Sequence, residues 1–512
     1  MSPAAAAAIA KGRGPIVVLL LRLRGGTVYA FGSEAAEVTQ RGIDASSIQV
    51  SPGLVVDSAS VEIDPFALAG ETSLTQARVS VILPESLVGF AGDWRHIGAA
   101  TAELARVWPG EAWQDRVTML MGTRLSGVTL GVAGEASTFT LESARIQSSA
   151  SLGDASRTLG DDFGPVVDNL GNDLTGLDGV QYPMVYGAPY RSQGFKIGEQ
   201  GGDGYDRVVI AGHYFADTSG VEAFNDGVSI GTFTVYNSTI GGQPYAYIRS
   251  NTAGVFDADS GAISVAPRFG GIASTRATTA ALTLGDLMDL WLTAAGVAVD
   301  WARCRPAIEA LRAWRGGVYL DDETQAIDAI RDHLAGVAPL VELYSPAGLW
   351  FYFADLATPQ VRGVLTEGQE LIGRVGGVSL SEIETVRNSI TVLYAMEESS
   401  GEFTGSEVVN ADSDTLAYVS AQLYGTLTET AIEAPCLIDA ATARRAGRLA
   451  IHRRAIQRRS TSWVVSDLVE IEAGEVYTVS APSLALDGSA VVTAIEGVVG
   501  RTVTLVMLDG VL

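Results

Sequence analysis

The chain has 512 residues, a formal charge of −25, 47% hydrophobic and 18% charged residues. That length suits roughly three to five domains of about 100–150 residues, each large enough to bury a core. The acidity argues against sequence-independent duplex binding, which needs a basic surface to displace counterions.

At the N-terminus, Ala4 to Ala8 is a small-residue run, and Lys11 and Arg13 precede the apolar Ile16-Val17-Val18-Leu19-Leu20-Leu21, closed by Arg22 and Arg24. A signal peptide takes about 7–15 apolar residues and a cleavage site, and a spanning helix about 20. Neither fits, so residues 1–14 read as a flexible tail and Ile16 to Leu23 as a buried first strand. Period-two patterns follow. Ala59, Val61 and Ile63 alternate with Ser58, Ser60, Glu62 and Asp64; Val79, Val81 and Leu83 end at Pro84; Phe139 and Leu141 alternate with Thr138, Thr140 and Glu142. These are half-buried strands, and residues 15–160 form a β-rich domain. Residues 151–181, rich in Ser, Gly, Asp and Asn, read as loop, with 161–181 as the linker.

Tyr182 to Tyr190 opens a second β-rich block, 182–275, running through Arg207 to Ala211, Gly231 to Tyr236 and Tyr245 to Ile248, with turns at the Gly-Gly pairs 201–202 and 241–242. The character changes near Thr283. Leu284, Leu287, Met288, Trp291 and Leu292 make a helical stripe. Ala307, Leu311 and Trp314 lie on a second helix with Pro306 in its first turn. Asp321 or Asp322 is expected to cap a third, which carries Ile327, Ile330 and Leu334. Val341 to Tyr344 and Leu349 to Phe353 read as a hairpin across Ser345-Pro346-Ala347-Gly348. Residues 276–355 are thus a small α+β domain. The last block, 356–512, holds a strand at Ser389 to Tyr394 and an Arg-rich helix over about 439–459. A strand and tight turn at Leu468 to Val476 and closing strands from Ala490 to Leu508 complete it. No repeat of 20–50 residues is present, which argues against a solenoid or propeller.

The chemistry-bearing residues form no catalytic set. His96, His213, His333 and His452 have no metal-ligand spacing, and no nucleophile elbow, Walker loop or dinucleotide fingerprint occurs. Asp257/Asp259 and Asp412/Asp414 lack the full ligand ladder of a calcium loop and read as solvated loops. The adjacent pairs Asp161-Asp162 and Asp321-Asp322 cannot flank a glycosidic bond, which needs carboxylates about 5–10 Å apart. His213, beside Tyr214 and Phe215, reads as a packed histidine. Cys304 and Cys436, without CxxC spacing, read as buried thiols. Lys11 and Lys196 are the only lysines, which a GC-rich coding bias explains. No enzymatic activity, cofactor or metal is expected. On the Arg helix, Ala443, Ala446, Leu449, Ala450 and Ile456 supply an apolar face, and Arg444, Arg445, Arg448 and Arg459 fall off it. They make either a solvated face or a subunit interface against acidic surface, which bidentate Arg pairing suits.

The order "RNSITVLY" (387–394), "DAATARRAGRLAIHRR" (439–454), "LVEIEAGEVYTV" (468–479) and "GSAVVTAIEGVVGRTVTLVML" (488–508) resembles the tail hub proteins of long-tailed bacteriophages. These are the baseplate hub and tail-tip proteins, including those of gene transfer agents. "YPMVYGAPY" (182–190) is similar to a proline-tyrosine-glycine segment between their first and second domains. The resemblance spreads over most of residues 15–512 and implies a β-rich multidomain α+β architecture. Two tube-like β domains (15–160 and 356–512) would be joined by a β-rich peripheral domain and a small α+β domain. The second tube-like domain would combine strands near 360–400 with those near 465–512. It implies a structural virion protein: a homotrimer at the tail tip that converts the sixfold tube to a threefold end and bounds the exit channel during DNA ejection. DNA would pass without specific binding. The implied partners are the distal tail protein, other tail-tip or fibre proteins and the C-terminus of the tape-measure protein; synthesis would be in the host cytoplasm, with no transmembrane segment. The iron–sulfur cluster of some relatives takes four thiolates, so none is expected from two distant cysteines. With no fibre or hydrolase domain after the closing strands, host cell attachment would be delegated to other proteins. The alternative is a secreted β-rich carbohydrate-binding or polysaccharide-degrading protein, whose Tyr182, Tyr186, Tyr190, Tyr214, Tyr236, Tyr245 and Tyr247 would stack on sugars.

Overall fold

The strand Ile16–Arg22 is buried from Ile16 to Leu21 because both its faces are covered: Val17, Leu19 and Leu21 enter one core and Ile16, Val18 and Leu20 another. That double burial explains an apolar run without alternation. The computed structural model to which it belongs describes residues 14–22, 28–39, 47–64, 66, 74–82, 101–108, 112, 117–129, 136–143, 151–152, 157–163, 177, 179–197, 205–215, 218, 220–252, 254–256, 263–267, 283–345, 348–356, 358–467, 469–497 and 500–508. Ile16–Arg22 lies between Val28–Gly32 and Thr101–Val107. Ala59, Val79, Val81, Phe139 and Leu141 share its first core, as side-chain alternation requires. Leu83 and the 201–202 glycine pair lie outside the described residues.

This sheet continues into the C-terminal region. At the end of Leu54–Glu62, residues Ser60, Val61 and Glu62 pair antiparallel with Glu496, Ile495 and Ala494 of Leu486–Glu496. From there pairing runs through Thr502–Met507 and Arg459–Val465 to Leu371–Arg374. Val361–Thr366 joins through Val476–Ala481. Among the described residues, sixteen strands belong to this one sheet. Leu365, Trp463, Val479, Val492 and Leu505 fill the core on the C-terminal side.

Between the two β regions, two four-stranded sheets enclose a core with Val208, Ile210, Val221, Ala223, Ile248 and Val265. In the hairpin Val235–Ile240 to Gln243–Ser250, Gly241 and Gly242 have φ of 57° and 84°, the left-handed pair that a two-residue type I′ turn needs. The segment expected to be loop contains the helix Leu159–Phe163, and Leu159 and Leu177 are buried against Tyr182, Phe195 and Tyr245. Those few apolar residues anchor a stretch whose composition otherwise signals turn.

The α+β region follows its stripe: Leu284, Leu287, Met288, Trp291 and Leu292 are all buried on Leu284–Ala294, and the Thr283 side chain caps it by accepting from the Asp286 N–H. Two expectations fail here. Pro306 lies inside the helix Trp301–Leu311, not in its first turn, because Asp300 caps the helix earlier by accepting from the Arg303 N–H. Asp321 and Asp322 do not cap Ala326–Ala329; its N-cap is Gln325, and the turn continues through the π-helical Ile330–Leu334. The Leu152 N–H donates to the Thr324 carbonyl at 2.8 Å and fixes that entry, while Asp322 accepts from the Thr324 hydroxyl. The hairpin Leu340–Ser345 to Gly348–Phe353 has Ser345 opposite Gly348.

Ile390–Glu397 does not join the large sheet. With Glu402–Val409 and Ile432–Ala434 it forms a three-stranded sheet, and the helix Ala440–Arg454 packs on it; their core is continuous with that of the α+β region. The Arg helix also ends earlier than its charge run. Ala455 is its C-cap, and Arg459 opens the strand Arg459–Val465, where pairing with Thr502–Met507 outweighs helix continuation. No strand is formed over the described residues between 469 and 475; Gly474, at φ 89°, turns the chain into Val476–Ala481. No helix of the described residues is long and apolar enough to cross a membrane.

Candidate functional site

The seam between the β regions gathers long-range polar contacts. Besides the strand pairing, the Ile63 N–H donates to the Thr493 carbonyl and the Gly497 N–H to the Ala59 carbonyl, both at 2.8 Å. Arg106, buried on Thr101–Val107, donates to Asp467 Oδ1 at 2.8 Å. Asp467 also accepts from the Gly500 N–H, and Arg501, equally buried, donates to the Ile471 and Val469 carbonyls. Burial lowers the pKa of Arg106, with Asp467 and Glu470 opposing it. Burial, then Arg106, lowers that of Arg501 to about 10. The Arg106 guanidinium and the Asp467 carboxylate thus form an electrostatic pin across the seam, with Arg501 held nearby by backbone carbonyls. An open groove of about 640 Å³ beside it is lined by Val17, Ser33, Leu54, Asp57, Ala59 and Gly497.

Arg444, Arg445 and Arg448 share an exposed side of the Arg helix. Arg444 pairs with Glu407 at 3.1 Å, Arg448 donates to the Ser413 carbonyl at 3.3 Å, and the Arg445 guanidinium stands 5.6 Å from the Trp314 ring. Arg459 is separated from them, half-buried on its strand opposite Leu380. The helix end holds two residues whose importance the charge run conceals. Arg453 is buried, and burial, followed by Arg454, lowers its pKa to about 9. Arg458 donates to the Leu508 carbonyl at 2.6 Å and lies 4.8 Å from the Phe66 ring, tying the helix end to both β regions. No periodicity distinguishes these two from their solvated neighbours.

Elsewhere the candidate reactive groups are occupied structurally. His213 accepts from the Val185 N–H through Nε2 and donates through Nδ1 to the Tyr214 carbonyl, stacked between Tyr186 and Phe215. Burial depresses its pKa, so it is a neutral packed ring. Burial pushes the Cys304 and Cys436 thiols up to about 11 and about 12, which makes them poor nucleophiles. Asp414 caps Thr415–Tyr424; Asp257 and Asp259 lie outside the described residues. Asp162 accepts from Arg157 and from the Tyr182 hydroxyl. Among the described residues no cluster of three His, Cys, Asp or Glu could hold a metal.

The tyrosines of the middle region are mostly engaged with one another. Tyr236 stacks on Tyr247 at 5.5 Å and Tyr247 on Tyr245 at 5.6 Å, while Phe163 meets Tyr245 edge-on at 5.4 Å. The Arg249 guanidinium stands 4.2 Å from both the Tyr205 and Tyr236 rings, and Arg157 is 3.7 Å from Tyr182. Tyr182, Tyr186 and Tyr245 are buried, and Arg191 is 5.3 Å from Tyr190. A sugar-stacking platform needs an open ring face; of the seven tyrosines only Tyr214 is exposed.

No protein-family model matches the chain, and no curated protein aligns with it. Among solved structures, a 43 kDa tail protein of prophage MuSo2 from Shewanella oneidensis is similar at 9% identity and a TM-score of 0.37, covering 96% of this chain and 97% of its own. A tail protein from Neisseria meningitidis MC58 is similar at 7% identity and a TM-score of 0.35, covering 96% and 95%. Prophage tail protein gp18 from Listeria monocytogenes EGD-e gives 11% identity and a TM-score of 0.28 over 64% of this chain and 87% of its own. Scores at this level leave the functional reading to rest on the chain's own geometry.

Proposed function

We propose that the chain is a structural component of a phage-type tail, a hub at the distal end of the tail tube, and not an enzyme. The observation that carries this reading is the single sheet running through both β regions of one chain, joined at Ser60–Glu62 and Ala494–Glu496. A chain that sets two β regions edge to edge supplies two adjacent positions of a ring, so three copies would match six positions of a tube. The buried Arg106–Asp467 pin favours a fixed angle between the two positions. Arg444, Arg445 and Arg448 face outward and are offered as a contact with an acidic neighbour, in keeping with interface use of Arg. The acidic chain lets DNA pass without adhering.

The test is electron microscopy of particles carrying an epitope-tagged chain. Three copies at the distal tube end are expected. Labelling along the whole tube, or absence from purified particles together with turnover of bacterial surface polysaccharide, would overturn the reading.

A further inference from the structure

One face of the middle region collects positive charge in a chain that has 59 acidic and 34 basic residues. Val208, Val235 and Ile248 point into the core between the two four-stranded sheets. Side-chain alternation therefore sets Arg207, Tyr236, Tyr247 and Arg249 on the opposite face. Leu159, Leu177 and Tyr182 cover part of that face, against Val209 and Tyr245. The remainder is built around two arginines. The register of Asp206–Ala211 with Gln243–Ser250 places Arg207 directly opposite Arg249, a like-charge neighbour. Tyr236 stands opposite Tyr247 in the same way. The Arg207 guanidinium lies 5.8 Å from the Tyr205 ring and 5.9 Å from that of Tyr247.

Arg249 differs from Arg312, Arg362 and Arg444, each of which meets a carboxylate. Its electrostatic neighbours among the described residues are Tyr236, Tyr205 and Tyr247, and none is acidic. The Tyr205 and Tyr236 rings, each 4.2 Å away, hold the guanidinium from two sides. These rings are occupied by one another and by the arginine, so they orient its donors rather than stack on a ligand. A fork held in advance loses little freedom when it binds an oxyanion. The surroundings narrow the ligand further. None of the exposed large hydrophobic side chains among the described residues lies on Asp206–Ala211, Val235–Ile240 or Gln243–Ser250. A protein partner would need apolar or aromatic anchors in desolvated pockets. Phenol hydroxyls around a guanidinium instead suit a hydrated ligand that carries both hydroxyls and carboxylates.

We propose that this face binds an acidic polysaccharide through its carboxylates, with Arg249 as the central contact and Arg207 strengthening the positive field behind it. The inference goes beyond the tail reading and does not rest on it. The experiment measures binding to the full chain by calorimetry, with oligogalacturonate and polysialic acid as probes. Methyl-esterified oligogalacturonate supplies the same sugar without the charge, and polyglutamate the same charge without the sugar. At least one acidic glycan is expected to bind and to weaken with added salt. The esterified glycan and polyglutamate should each bind roughly tenfold or more weaker than oligogalacturonate. Arg249→Gln should weaken the acidic glycan by a similar factor at an unchanged melting temperature. The control Arg374→Gln, on the distant strand Leu371–Arg374, should change nothing. Failure of both acidic glycans to bind would overturn the inference, as would equal affinity for the ester or for the Arg249→Gln chain. Polyglutamate binding as tightly as the acidic glycan would overturn it in favour of an acidic protein partner. The ester comparison leaves the chain unaltered, so it decides the matter even if Arg249→Gln disturbs the fold.

Discussion

At the scale of single residues, stability rests on charges taken out of water. Arg331 is buried and meets Glu342, also buried, in a bidentate pair at 2.7 and 2.6 Å, with Asp328 accepting from its remaining nitrogen. Removing one partner of such a pair strands the other charge at a cost of about 3–5 kcal/mol, whereas an apolar pair of similar volume is often neutral. Arg331→Met should therefore destabilise strongly in urea titrations, and Arg331→Met/Glu342→Leu should recover most of the loss. A double variant no better than the single would remove that account. Glu398 behaves oppositely. Burial, then Asp321, raises its pKa to about 8, against an unfolded value of about 4.3. Between those values the folded chain holds a proton that the unfolded chain has released, so stability falls as pH rises through that window. Glu398→Gln should be the more stable at pH 8 and lose less between pH 5 and 8 than the unaltered chain; equal losses would exclude Glu398 as the cause.

At the scale of elements, periodicity was a sound guide wherever one face met a core. The Leu284 to Leu292 stripe and the alternation at Val79 and Phe139 are buried as their spacing demands. Element ends were harder, since caps and competing strand pairing set them. Asp300 moved one helix start back past Pro306, and the pairing of Arg459–Val465 cut the Arg helix short. Sequence also could not assign Ile390–Glu397 to its sheet, because a strand's pattern identifies a buried face and not the partner that buries it. The same helix gives a prediction that propensity alone would get wrong. Gly447 lies in its interior, where alanine ordinarily gains about 0.8–1 kcal/mol. An added Cβ would stand 2.7 Å from Val409 Cγ2 and 3.3 Å from Val392 Cγ2. Overpacking typically costs about 1–3 kcal/mol, so Gly447→Ala should lower the melting temperature; a rise would mean that the three-stranded sheet yields to the methyl group.

At the scale of the whole molecule, the candidate site was legible only in part. Three of the four singled-out arginines share one exposed helix face, but the seam residues Arg106, Asp467 and Arg501 had no signature. They are isolated polar positions, with Arg106 361 residues before Asp467, and only tertiary contact turns them into a unit. That unit has a measurable consequence. The strand pairing across the seam spans three residue pairs, flanked by the Ile63–Thr493 and Gly497–Ala59 backbone hydrogen bonds, so the ladder is short and the Arg106–Asp467 pin should add to the coupling of the two regions. Arg106→Met removes the cation, leaves Asp467 with the Gly500 N–H and Arg501 nearby, and preserves much of the packed volume. Local opening should then become cheaper than global unfolding, since free energies of opening vary between cooperative units of a protein. Hydrogen exchange should quicken at Ser60–Glu62 and Ala494–Glu496 while the amides of Ile16–Arg22, buried in two cores, stay protected. Uniform acceleration across both regions would mean that they unfold as one unit and that the pin contributes only to total stability. Selective acceleration, accompanied by loss of threefold rings at unchanged secondary structure, would identify the angle at this seam as the quantity that assembly requires.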